Sequence, residues 1–104
     1  MDNKYSLIFY PAASEDIENI IKYISVDLSN PDAASKLLED FDESFKTLLV
    51  FPKMYPIIDN KFVKDKSVRR MLVKNYVVFY KIADNMIQVI RIVHVRNDYT
   101  VFLS

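Results

Sequence analysis

Three β-prone runs in the last third of the chain, joined by two-residue connections, constrain the fold more than any other feature. Ser67 to Val73, Tyr76 to Ala83 and Met86 to Val95 are rich in Val, Ile, Tyr and Phe, and only Lys74-Asn75 and Asp84-Asn85 separate them. A link that short permits antiparallel pairing and excludes a parallel crossover, which needs a dozen residues or more. The sequence contains no glycine, so tight turns fall to Asn, Asp and Pro. Asn tolerates positive φ and is the expected left-handed residue in both connections.

The first half reads as a strand followed by two helices. Lys4 to Tyr10 is a strand pattern that Pro11 closes. Ala13, Ile17, Ile20, Ile21, Ile24 and Leu28 then recur at helical spacing. Ser14 is the candidate cap, and Glu15, Asp16 and Glu18 suit the positive end of the helix dipole. Ser29-Asn30-Pro31-Asp32 is the clearest boundary, with Asn30 as N-cap and Pro31 at the first helical position, where its missing N–H costs nothing. Ala34, Leu37, Leu38, Phe41, Phe45, Leu48 and Leu49 form the apolar stripe of the second helix, which should end before Pro52. Pro52 to Lys66 lacks periodicity and reads as an ordered loop. The expected fold is α+β in the order β-α-α-β-β-β, a helical hairpin on one face of a small, mostly antiparallel sheet. The other face of that sheet is expected to be free for function.

With 104 residues the chain reads as one domain, large enough for a core without staples. Cysteine is absent, which removes disulfides and thiolate metal sites. There is one His, no Cys, no paired acids at helical spacing in the basic half and no glycine-based nucleotide loop, so no metal and no cofactor is implied. No run of about 18 apolar residues is present, and the N-terminus turns acidic too early for a secretory signal, so the reading is a cytoplasmic protein that spans no membrane. The net charge of zero conceals a split. Residues 1–52 carry ten acids and four Lys, a balance of −6, whereas residues 53–104 carry ten Lys or Arg and four acids, a balance of +6. Either the halves neutralise each other in the fold, or the basic half faces a polyanion or an acidic partner.

Taken in order, these segments resemble the RelE/ParE superfamily of bacterial type II toxin–antitoxin toxins. The resemblance rests on Ala13-x-x-Asp16-Ile17-x-x-Ile20-x-x-Tyr23-Ile24, on Asn30-Pro31-x-Ala33-Ala34 and on Leu49-x-x-Pro52. It continues in Arg70-x-Leu72-Val73-x-Asn75-Tyr76-x-Val78-Phe79-Tyr80 and in Ile90-Arg91-Ile92-Val93-His94-x-Arg96-x-Asp98-Tyr99. The resemblance implies one of two activities. RelE-like members cleave mRNA in the ribosomal A site, whereas ParE-like members inhibit DNA gyrase without chemistry of their own. It also implies a cognate antitoxin, whose inhibitory segment is expected to be amphipathic and acidic and to cover part of the basic sheet. A third possibility is a chain that keeps fold and antitoxin but has lost toxicity.

The first expectation is a metal-independent, ribosome-dependent mRNA endoribonuclease, because cations on a sheet suit phosphate. Cleavage by 2′-OH attack needs a base, an acid and cations on the developing phosphorane. Arg96 stands where RelE-like toxins place a phosphate-stabilising Arg, with an ion pair to Asp98 or Asp65 as the structural alternative. His94 lies two residues earlier, hence on the same face of an extended strand, as a proton carrier or a structural ring. Tyr99 matches an aromatic that stacks on substrate, or else packs at the core edge. Arg69 and Arg70 point to opposite faces, so one of them can join Arg96. Lys61, Lys64, Lys66, Lys74 and Arg91 are the candidate contacts to backbone phosphates. One departure favours the gyrase alternative: many family nucleases carry Arg directly after the tyrosine that matches Tyr76, and here that residue is Val77.

Overall fold

A computed structural model describes residues 4–98 and 103. Strand β1 (Ser6–Phe9) leads into α1 (Pro11–Lys22), which a π-helical turn (Tyr23–Asp27) prolongs. Helix α2 (Pro31–Val50) comes next, and β2 (Arg69–Val73), β3 (Tyr76–Ala83) and β4 (Met86–His94) follow the long loop. The strands form one sheet in the order β1-β4-β3-β2. Strand β1 runs parallel to β4, and both other pairings are antiparallel, as the two-residue connections require. The expected α+β order is therefore present, with the helices stacked on one face of a mixed sheet.

The cap at the second helix is as the sequence predicts: Asn30 Oδ1 accepts the Ala33 N–H at 3.1 Å, with Pro31 in the first turn. The first helix starts differently. Pro11 does not merely close β1 but occupies the first turn of α1, and no side chain caps the helix. The Tyr10 carbonyl instead accepts the N–H groups of Ala13 (2.9 Å) and Ser14 (3.1 Å), which places Ser14 inside the helix. Proline fits that opening position because its φ is already helical. Both tight turns and the interhelical corner use left-handed residues other than Asn. Ser29, Lys74 and Asp84 have φ of 50°, 53° and 56°, so the first residue of each strand connection takes the position. Each such residue costs about 1–2 kcal/mol relative to glycine, and the chain has none to place there.

The main core lies between helices and sheet. Ala13, Leu37, Phe41, Phe45 and Leu48 meet Met71, Val73, Val78, Tyr80, Ile87, Val89 and Ile92, all buried. Along α2 the stripe recurs at intervals of three and four, the spacing that keeps one helix face inward. Leu38, counted with the stripe, is half exposed. On the sheet the period of two would set Ile92 opposite to Val89. A bulge restores it: Phe79 pairs with Arg91 and Tyr80 with Val89, so Ile90 is inserted without a partner. One extra residue flips the facing of everything after it, which lets both Val89 and Ile92 reach the helices.

The opposite sheet face is only partly open. The loop that follows α2 folds across it, and Ile58, Val63 and Val68 pack on Phe79 and Val93 as a second, smaller core. The layers also separate charge: the acidic half forms the helices, and the basic half forms β2, β3, β4 and the loop. Lys74→Gly removes the left-handed penalty against glycine's own entropy cost, so it should stabilise the fold by about 0.5–1 kcal/mol, a rise of a few degrees in melting temperature. Thermal unfolding followed by circular dichroism would measure it.

Candidate functional site

The loop reaches the far face by rounding the β2 edge, and two neighbouring side chains hold it there. Arg69 and Tyr80 are cross-strand partners on the helix side of the sheet. The buried Tyr80 hydroxyl donates to the Pro52 carbonyl at 2.7 Å. Arg69 Nη1 donates to the carbonyls of Tyr55 (2.7 Å) and Lys53 (3.3 Å). Burial pushes the Tyr80 hydroxyl up to about 12, against the opposing pull of the Arg69 charge, so it is a hydrogen-bond donor at any ordinary pH. From there the Arg70 N–H donates to Pro56 O (3.1 Å) and the Ile58 N–H to Val68 O (2.8 Å), zipping the loop along the strand edge. Tyr55 still packs on the main core, whereas Ile58 belongs to the second.

The loop pairs with the strand from Pro56 to Ile58, and beside Tyr55 and Pro56 a cleft of about 380 Å³ opens on the far face. Phe79 and Val93 lie at one side of it, Leu72, Val77 and Val95 line it, and Arg70 and Asn97 border it. Leu72 is 64 % exposed and Val95 46 %, high values for aliphatic side chains on a sheet.

Of the expected site residues Arg70 and His94 line this cleft, and the other described ones are not in its lining. Arg70 does face the cleft, on the side opposite to Arg69, as strand alternation requires. Arg69 is spent on loop carbonyls and shares its face with Met71 and Val73, so it cannot join Arg96 on the open surface. Arg91 is also committed to a protein partner. Its Nε and Nη2 donate to Asp16 Oδ2 (2.7 Å) and Oδ1 (2.8 Å), and Asp16 Oδ2 also accepts the Ile92 N–H at 2.9 Å. The reason is topological: β1 ends opposite Val89, so the edge of β4 beyond it needs another acceptor, and α1 supplies one. Asp16 is thus an edge cap and ion-pair partner, not the helix-dipole residue expected. The Arg91 guanidinium is raised above its usual range by that hydrogen-bonded carboxylate.

His94 ends β4 with its ring edge-on to Tyr76 at 5.3 Å, and its Nδ1 accepts the Arg96 N–H at 3.1 Å. Arg96 is exposed in the turn after β4, between Val95 and Asn97. Tyr99 lies outside the described residues. Lys61 sits over the Phe62 ring at 5.2 Å, and Lys66 donates to the Asn60 carbonyl at 2.9 Å. Lys64 and Lys74 are exposed on the loop and in the β2–β3 turn. Asp65, one possible partner of Arg96, pairs instead with Lys81 at 3.1 Å. Among the described residues Arg70, Lys74 and Arg96 have no ion-pair partner. The same residues contain no group of three metal-ligating side chains, and no helix long and apolar enough to cross a membrane.

With this geometry in place, comparison with known proteins is decisive for the family. The family model for the ParE toxin of type II toxin–antitoxin systems (parDE) matches residues 7–99. The chain belongs to the ParE toxin family. No curated protein sequence matches it significantly. Among solved structures, the chromosomal ParDE system of P. aeruginosa superposes with a TM-score of 0.71 at 22 % identity, over 89 % of this chain and 98 % of that one. The RelBE2 toxin–antitoxin complex of Mycobacterium tuberculosis gives 0.60 at 15 % identity, over 86 % and 96 %. YafQ of E. coli strain BL21(DE3) gives 0.54 at 12 %, over 86 % and 92 %. At these identities the likeness is one of fold.

Two interactions of this ParE-family chain are open to direct test. Asp16→Ala would leave the partly buried Arg91 fork and the Ile92 N–H without their acceptor, at a cost of about 2–3 kcal/mol. In a double-mutant cycle with Arg91→Ala, urea unfolding should show the two losses to be strongly non-additive. Asp65 accepts from Ser67 and Lys81, which lowers its carboxyl from 3.8 to about 2. A depressed carboxyl stabilises the fold above its unfolded pKa and loses that contribution as pH falls through the folded one. The stability gap between the native chain and Asp65→Asn should therefore be constant at neutral pH and shrink between about pH 4 and pH 2.

Proposed function

We propose that this ParE-family toxin acts by binding DNA gyrase through the cleft surface, with no chemistry of its own. The observation that carries the reading is the commitment of Arg69 and Arg91. A phosphoryl-transfer site needs several cations aimed at one phosphate, and two of the arginines that could supply them are held by loop carbonyls and by Asp16. What remains is an apolar cleft lined by one cation, Arg70, with Arg96 in the turn between the lining residues Val95 and Asn97 and Lys74 exposed in the β2–β3 turn. That pattern suits a protein partner, where exposed aliphatic groups supply contact area and rim charges supply orientation. Val77, where family nucleases carry Arg, supports the same reading. The family match to ParE adds weight.

Messenger-RNA cleavage keeps one specific support, since Arg70, Lys74 and Arg96 are cations without a carboxylate partner among the described residues. A cognate antitoxin belongs to either reading. Solved relatives of the fold are toxin–antitoxin systems, and the surface here favours an antitoxin segment with acidic groups for Arg70, Lys74 and Arg96 and aliphatic groups for Leu72 and Val95.

The deciding experiment sets purified chain against gyrase supercoiling of relaxed plasmid, and in parallel against cell-free translation with primer extension on the mRNA. Loss of supercoiling with intact mRNA is the expected result. Ribosome-dependent cuts with normal supercoiling would overturn it. Reversing the rim charges with Arg70→Glu and Arg96→Glu together should weaken supercoiling inhibition by about tenfold or more while leaving the melting temperature within a few degrees.

A further inference from the structure

Among the described residues, two hydrogen bonds tie the turn that carries Arg96 to His94. Val95 N–H donates to the Asn75 carbonyl at 2.8 Å, the last bond of the sheet. From there the chain has left β4, and two bonds of the turn return to His94. Its carbonyl accepts the Asn97 N–H at 2.9 Å, and its ring Nδ1 accepts the Arg96 N–H at 3.1 Å. The carbonyl bond is available to any residue, whereas the ring bond is not. It needs a side-chain acceptor at that reach, which in a neutral imidazole means a lone pair on Nδ1 and the proton on Nε2.

The ring is itself held in place. Tyr76, the cross-strand partner of His94, meets it edge-on at 5.3 Å, and Tyr76 leans on Phe41 of α2 at 6.1 Å. Phe41 is buried in the main core. Three rings in contact therefore run from the helical layer to the end of β4, and the last presents its nitrogen to the Arg96 amide. An exposed turn with one backbone bond would sample several conformations, and an arginine upon it would pay that entropy on meeting a partner.

We propose that His94 is a positioning residue, whose Nδ1 serves as an acceptor that fixes the turn presenting Arg96, and that it moves no proton. The inference rests on the reading that the surface bearing Arg96 engages the target. It assigns the chain's single histidine a part that an amide can play, because Asn places an acceptor oxygen at a similar reach but cannot exchange protons near neutral pH.

The test compares His94→Asn, His94→Ala and Arg96→Ala by two readouts. One is loss of viability on induced expression without antitoxin. The other is hydrogen exchange of the Arg96 amide in the purified full chain, followed by NMR. His94→Asn should kill within about threefold of the native chain and keep the amide protected. His94→Ala should restore viability and speed exchange, each by about tenfold, the size expected for one lost hydrogen bond. Should His94→Asn prove as harmless as His94→Ala while its Arg96 amide stays protected, ring chemistry is required and the proposal fails. Full toxicity of His94→Ala beside a harmless Arg96→Ala would also sink it. If Arg96→Ala itself kills normally, the surface reading is what has failed, and amide exchange alone decides whether His94 holds the turn: faster exchange in His94→Ala upholds that grip, and unchanged exchange overturns it.

Discussion

Everything on the far side of the sheet depends on the side-by-side pair Arg69 and Tyr80. These two reach across the β2 edge for the carbonyls of Pro52, Lys53 and Tyr55. Carbonyls at a helix exit need donors, and no glycine is present to turn the chain away at once. The pair supplies those donors from the sheet itself. With its first residues pinned, the loop has one course, round the edge and onto Phe79 and Val93. Its pairing with the strand at Pro56 to Ile58 then sets one border of the cleft. The cleft is thus a by-product of how the α2 exit is satisfied.

This explains how much of the fold could be read from the residues. The helix boundaries at Asn30-Pro31 and the two-residue strand links are local signals, with their chemistry in adjacent side chains, and the structure keeps them. What was not legible depends on partners far apart in the chain. Asp16 looks like a dipole residue until β1 is seen to stop at Val89, 73 positions on from Asp16, and leave an edge for it to cap. The inserted Ile90 is invisible for the same reason, since a bulge is a property of pairing and not of one strand. Arg69 and Arg70 could be assigned to opposite faces by alternation, but not to the correct ones, because that choice turns on the loop.

The candidate site was less legible than the fold. Composition flags the cations, yet it does not tell which of them already have a carboxylate or carbonyl to serve. Arg69 stands in the same strand as Arg70, and Arg91 in the strand that leads to the turn of Arg96; all four carry the same charge and differ in three-dimensional company. His94 shows the converse. Its spacing from Arg96 suggested a shared face, whereas the contact that forms is a short backbone link from ring to amide.

The separation of charge into layers has a consequence for how the molecule meets others. The Asp16–Arg91 pair joins the two halves, whereas Lys36–Asp40, Lys46–Asp42 and Lys81–Asp65 each stay within one. The molecule measures 40 × 38 × 21 Å, and electrostatic fields decay over about 8 Å at physiological ionic strength. A partner approaching the sheet therefore feels the cations and is shielded from the acids behind them. A chain with no net charge behaves as a basic protein from one side and as an acidic one from the other. Its approach to any partner is oriented before contact is made.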